Sequence, residues 1–341
     1  RLRGDIAAAI DGDLETAVRA YDRFLDLQPE SVAGHTNRAL YLSSLGRDDE
    51  ALAEFARAAS IDPLGRGPGQ IQLMNLAAEY VVVGRFDTAR VVAARLRGAP
   101  AQYLEMLLLN AAGAWDSLSR VASRYASAPS TERFVRLPAV LHAAGARAAL
   151  GDATGAERAL AEALRGAAAA DVRWLLHGRL LLDLGRGTRP AWLLPAATPR
   201  DTSAGADLLA GLWHARRGDT RGASARLRSL EARPDSGRRA VGRGARLLGA
   251  EISLAAGRSG DAARELEAAA LAGEHEALSL DRVSSLGIRW QYAEALFRLG
   301  QADSAARVWR ALGAPRGLPP AHFALRGFVV RAAAMRAGRV R

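Results

Sequence analysis

The sequence predicts an all-α protein built from stacked helix pairs, and three observations carry that prediction. A glycine recurs about every 34 residues, each time between two apolar segments of helical period. The residue types are helix formers, chiefly alanine, leucine, arginine and glutamate, with few β-branched residues. No stretch alternates apolar and polar residues as a half-buried strand would. Repetition at this period means supersecondary units that bury their faces against one another rather than around one globular centre.

The opening units set the phase. Gly12 leads through Ala17, Tyr21 and Phe24 to Pro29, and Gly46 leads through Ala51, Phe55 and Ala58 to Pro63. Gly12 to Gly46, Ala17 to Ala51, Tyr21 to Phe55 and Pro29 to Pro63 are each 34 residues apart. Later units carry the glycine at Gly84, Gly113, Gly151, Gly185, Gly218, Gly257 and Gly300, in steps of 38, 29, 38, 34, 33, 39 and 43. Each mark has a physical reading. The glycine takes the left-handed conformation that ends a first helix and turns the chain. Five residues on, Ala89, Ala156, Ala223, Ala262 and Ala305 let two helices approach without overpacking. Four further, Leu160, Leu227, Leu266 and Trp309 fill the gap on the same face. Pro100, Pro129, Pro234 and Pro315 close units, since proline cannot continue a hydrogen-bond ladder. The middle units depart from the phrase: Leu118 stands where the small residue belongs after Gly113. The second helix after Gly185 is expected to start near Pro190 and break at Pro195.

These residues resemble the tetratricopeptide repeat. The stretch Val32 to Pro63 carries the pattern through Ala39, Leu42, Gly46, Ala51, Phe55, Ala58 and Pro63. The unit ending at Pro29 and the unit around Ala293, Leu296, Gly300, Ala305 and Trp309 carry it too, and spacing extends it over nearly the whole chain. The resemblance implies a tetratricopeptide-like solenoid of about nine antiparallel helix pairs forming a right-handed superhelix, one continuous array over residues 1–341. It also implies that first helices line a concave groove in which partner peptides lie.

Several departures from regular stacking are expected. Leu64 to Gly69 lengthens one turn, 185–201 with Pro190, Pro195 and Pro199 forms an irregular bend, and 232–244 and 313–320 are longer connections. Arg1 to Asp11 reads as a shortened first helix, and Ala321 to Ala337 as the first helix of a further unit whose turn and partner are cut away. The chain is therefore expected to be a segment truncated at both ends, with terminal repeats whose apolar faces invite self-association.

Composition narrows the chemistry. The 341 residues include 47 basic and 36 acidic side chains, a net charge of +11, and every basic residue other than histidine is arginine. The arginines are scattered, and Arg238, Arg239, Arg243 and Arg246 form the densest group, near a loop; these are the candidates for an anionic partner. The absence of cysteine removes disulfides and thiol chemistry. No apolar run is long enough to span a membrane and no signal-peptide pattern is present, so a cytoplasmic location is expected.

A chain without lysine has no Walker A lysine, no kinase phosphate-anchoring lysine and no Schiff-base lysine. Gly65-Arg66-Gly67-Pro68-Gly69 follows a helix-ending proline and not a strand, so it reads as a stretched turn and not a phosphate loop. His35, His142, His177, His214, His275 and His322 never fall three or four apart, so no helix presents a metal pair. They read as packing or surface residues, and no catalytic residue, metal or cofactor is expected.

Function is therefore sought on the groove. In the family a clamp of lysine, asparagine and arginine holds a peptide carboxylate; Asn37 and Asn75 match one member of it, while Thr36, Leu40, Met74 and Ala78 occupy other clamp positions and lysine is absent. Arg179, Leu208, Leu212, Glu251, Trp290 and Glu294 are further inward candidates, a mixture suited to an amphipathic helix or an extended peptide. Two readings stand. One is a non-enzymatic scaffold binding a protein or peptide, similar to the C-terminal repeat arrays of large bacterial signalling proteins such as serine/threonine kinases. The other is an arginine-rich regulator binding nucleic acid or another anion. As a check on phase, a charge at Ala51 is expected to disrupt the fold and arginine at an exposed Asp48 is not.

Overall fold

The computed structural model describes residues 14–62, 70–192, 203–233, 239–271, 284–313 and 320–338. Expectations for Arg1 to Asp11, Gly12, Pro63, the Leu64 to Gly69 turn, Pro195, Pro199, Pro234, Arg238, His275 and Pro315 lie outside the described residues.

The described residues are all-α and contain no strand. Their helices are α1 (Leu14–Leu27), α2 (Val32–Ser44), α3 (Asp48–Ile61), α4 (Gln70–Val82), α5 (Phe86–Ala93), α6 (Gly98–Ala111), α7 (Trp115–Ser127), α8 (Arg133–Leu150) and α9 (Ala153–Arg165). They continue with α10 (Ala169–Arg186), α11 (Ala204–Arg217), α12 (Thr220–Glu231), α13 (Arg239–Ala255), α14 (Ser259–Leu271), α15 (Ser284–Arg298), α16 (Ala302–Gly313) and α17 (Pro320–Gly338).

One turn joins the members of each pair. Gly46, Gly84, Gly113, Gly151, Gly187, Gly218, Gly257 and Gly300 have φ between 68° and 96°. After each, the next N–H reaches back five residues, as Arg47 does to the Leu42 carbonyl at 2.9 Å and Gln301 to the Leu296 carbonyl at 2.9 Å. This is the helix-ending motif that satisfies carbonyls a helix otherwise leaves open. It pairs α2 with α3, α4 with α5, α6 with α7, α8 with α9, α11 with α12, α13 with α14 and α15 with α16.

The small residues sit where the pairs cross. Ala17, Ala51, Ala89, Ala156, Ala223, Ala262 and Ala305 are buried, as are Tyr21, Phe55, Leu160, Leu266 and Trp309 one turn on. In α7 the buried Leu118 is followed one turn later by Ala122, so a large-then-small order replaces small-then-large and keeps the total volume. In α12 Leu230 is buried and Leu227 is only partly so, a three-residue shift along the same face.

Four expectations need correction. Gly185 is not the turn glycine: it lies inside α10, and Gly187 takes the left-handed conformation. Among the described residues no helix starts at Pro190: residues 188–192 are non-helical, and Trp192 covers α10, its Nε1 donating to Asp183 at 2.8 Å. Pro100 does not close a unit but lies in the first turn of α6, where a missing N–H costs nothing. Within the stretch 232–244, Arg239 onward is already helix.

The contacts gather into two compact units. The first takes described residues up to Ala143 together with 320–324, and the second takes the others; the division falls inside α8 and inside α17. In the first, first helices α4 and α6 pack on each other; in the second, α11, α13 and α15 do. Within the second unit α11, α13 and α15 make one face, which positions the candidate site.

Candidate functional site

The face of the second unit is held together by polar side chains in an apolar frame. On α11, Arg216 sends Nε and Nη2 to Oε1 of Glu251 on α13 at 3.0 and 2.7 Å. Its Nη1 bonds the Leu180 carbonyl of α10 at 2.8 Å. From α15, Gln291 Nε2 donates to the same Glu251 oxygen at 2.6 Å. Both members of the ion pair are nearly sealed from solvent, with side chains 9% and 6% exposed. A charge so placed is tolerable only because its partners are present.

One turn towards the helix ends, Glu294 receives Arg298 at 3.3 Å and Arg336 at 2.6 Å. Arg336 comes from α17 and lies over the rings of Trp290 and Trp309, at 5.7 and 5.6 Å from their centroids. Glu251, Trp290, Gln291, Glu294, Arg298 and Arg336 border a cleft of about 390 Å³ along this face.

The sequence-derived groove candidates divide on this geometry. Glu251, Trp290 and Glu294 come together at the cleft, although Trp290 and Glu251 are themselves buried. Arg179 is engaged nearby, paired with Glu157 at 3.1 Å and stacked on Trp192 at 4.8 Å. Leu208 and Leu212 are buried within the packing of α11, so they serve the core. In the first unit, Asn37 donates to the Tyr21 hydroxyl at 2.8 Å, binding α2 to α1, while Asn75 is partly exposed on α4. Thr36 and Ala78 are buried and Leu40 and Met74 partly so.

Of the arginine group, the described side chains are Arg243 and Arg246. Arg239 opens α13. Arg243 is buried, and Arg246, one turn further, is exposed. Burial, and next to it the charge of Arg243, lowers the pKa of Arg289. The sequence placed this group near a loop; the helix begins earlier, so residues adjacent in sequence point in different directions.

Other polar groups went unnoticed in the sequence. In the first unit, Ser43 on α2 donates to Glu79 on α4 at 2.9 Å, and Glu79 Oε1 has no partner among the described residues. Burial pushes the Glu79 carboxyl up to about 8, with the nearby charge of Asp48 adding to it. Asp48 is half-buried rather than exposed, and burial raises its own pKa. Asn110 of α6 bonds His142 of α8 at 3.2 Å, and burial holds that ring down to about 3. His177 is likewise held down to about 3, by burial first and then by Arg216 and Arg173. Repeat spacing carries the signal for these pairs: Ser43 to Glu79 is 36 residues, Asn110 to His142 is 32 and Arg216 to Glu251 is 35. Polar residues one repeat apart inside apolar helices are candidates to meet.

His35 pairs with Glu54 at 2.6 Å and His214 with Asp219 at 2.8 Å. Among the described residues no group of three or more His, Asp or Glu side chains is placed to hold a metal ion. No described helix is long and apolar enough to cross a membrane.

No family model matches the chain, and no curated protein matches it. A solved structure of Naa15/Naa10 bound to HypK-THB is similar at 17% identity, covering 91% of this chain and 41% of that one, with a TM-score of 0.29. The chain thus spans about two fifths of the length of the chain it matches.

Proposed function

We propose that this chain is a non-enzymatic scaffold that binds a protein partner, as a helix or peptide, along the face made by its first helices. The carrying observation is the convergence of Glu251, Trp290 and Glu294 on one cleft of that face. Arg336 already lies over the buried Trp290 and Trp309 rings and pairs with Glu294, which is the chemistry a helical partner carrying an arginine would reproduce. The charges there are engaged with one another across α11, α13, α15 and α17, which supports a preformed binding face.

The finer reading, a partner-binding arm of a larger bacterial signalling protein located in the cytoplasm, rests on the resemblance of the opening units to such arrays. Asn37 and Asn75 remain candidates for a second contact region in the first unit. For the nucleic-acid alternative, the two described arginines of the group offer no shared basic surface, since Arg243 is buried while Arg246 is exposed.

The test is a paired titration of the full chain with a panel of arginine-bearing helical peptides and with duplex DNA at low salt. The reading expects peptide binding that Glu294→Arg abolishes, and no DNA binding. Steeply salt-dependent DNA binding with no peptide bound would overturn it.

A further inference from the structure

The sequence expects α17 to begin another stacked unit. Its described contacts from Leu325 onward include α8, α10, α15 and α16 of the second unit. A side chain added at Gly327 would come within 2.5 Å of the Gly145 backbone on α8. One added at Gly185 on α10 would come within 2.5 Å of the Phe328 carbonyl. Arg331 lies against Gly151, and Arg336 reaches Glu294 and the two tryptophans on α15 and α16. The first helices α8, α10 and α15 thus all touch one helix. Leu325, Phe328, Val329, Ala333 and Ala337 are buried, while Met335 is half exposed.

Two features make this a docking geometry and not generic packing. Backbones approach at glycines, Gly327 on the incoming helix and Gly185 on the face, which only small residues permit. The polar anchor, Arg336, sits nine residues after Gly327, roughly 13 Å along a helix, and meets a carboxylate flanked by aromatic rings. Glycine inside a helix costs roughly 1 kcal/mol relative to alanine. Gly185 and Gly327 therefore bear a cost that close approach explains.

We propose that residues 325–338 of α17 are a resident ligand of the first-helix face, and that the partner is a helix of the same kind. That partner carries a glycine or alanine at the crossing and an arginine nine residues later, and it binds by displacing α17. This rests on the reading that the face binds a helix. A tethered occupant acts at a high effective concentration, so it sets a threshold that only a well-matched helix overcomes.

The test uses the full chain, wild type and the variants Gly327→Leu and Arg336→Glu, with a labelled synthetic peptide of residues 320–338. Gly327→Leu blocks the crossing; Arg336→Glu reverses the anchor and stands in should the first variant misfold. Expected in either variant is amide exchange across 325–338 faster by roughly 100-fold, with α11 to α14 unchanged. The peptide should bind the variants and bind wild type more weakly by roughly tenfold or more. Unchanged exchange in 325–338, or equal peptide affinity for wild type and variants, would overturn the resident role while leaving a helix-binding face standing. Release of α17 with no peptide binding to either chain would overturn both.

Discussion

Glu79, His142 and His177 are the residues whose ionisation is most tightly tied to the fold, and their signs oppose. The Glu79 carboxyl keeps its proton in the folded chain up to about pH 8, whereas the unfolded chain releases it near 4.5. The folded state therefore binds more protons between those values, and stability falls as pH rises through that window. The slope reaches at most about 1.4 kcal/mol per pH unit for this group. Glu79→Gln should remove that slope and leave the variant more stable than wild type above pH 8, measured by denaturant melts from pH 4 to 9; parallel profiles would contradict it. Asp48→Asn, by removing a neighbouring negative charge, should bring the Glu79 midpoint down. The histidines run the other way. Their rings stay neutral in the fold down to about pH 3 against an ordinary 6.5, so the stability they allow is present above 6.5 and lost as pH falls. In the second unit the sealed pair of Arg216 and Glu251 predicts a cycle. Arg216→Met should cost about 3–5 kcal/mol because it strands a buried carboxylate. Adding Glu251→Met should recover much of that, less the cost of leaving the Gln291 amide without its acceptor.

At the level of the helix pair, the turn glycine and the buried alanine have separable energetics. Gly300 has φ +77° and open space where a side chain would go. Gly300→Ala should therefore cost about 1–2 kcal/mol through backbone strain alone. Gly260→Ala, in the first turn of α14, meets only the end of the Arg264 side chain at 3.7 Å and should be neutral or stabilising by up to about 1 kcal/mol. If thermal melts rank these two the other way, the turn assignment is wrong. Ala51→Glu should abolish cooperative melting, since that residue is fully buried. Asp48→Arg is no neutral control, because the half-buried Asp48 lies close enough to Glu79 to raise its pKa. These elements were legible in the sequence because glycine, alanine and a larger apolar residue recur at fixed offsets, each forced by local geometry. The unit after α10 was not, because two glycines two residues apart, Gly185 and Gly187, satisfy the same spacing. Only packing against Phe328 distinguishes the one that must stay small from the one that must turn.

For the molecule as a whole, each compact unit is built from first helices packed side by side. Polar pairs one repeat apart, Ser43 with Glu79 and Arg216 with Glu251, tie neighbouring first helices together. The sequence could place Glu251 and Glu294 at the same level of their first helices, because each lies six residues before its turn glycine, Gly257 and Gly300. What could not be foreseen was what they face. Arg336 lies 42 residues beyond Glu294, and no local pattern in α17 distinguishes a helix that stacks as the next repeat from one that lies across the face. That distinction is tertiary, set by the clearance at Gly145 and Gly185. The most direct measurement is hydrogen exchange along the intact, unliganded wild-type chain, comparing 325–338 with α15 and α16. The account predicts that α17 amides from Leu325 to Ala337 are protected as strongly as those of α15. Exchange across that stretch at the rate of a frayed chain end would contradict it.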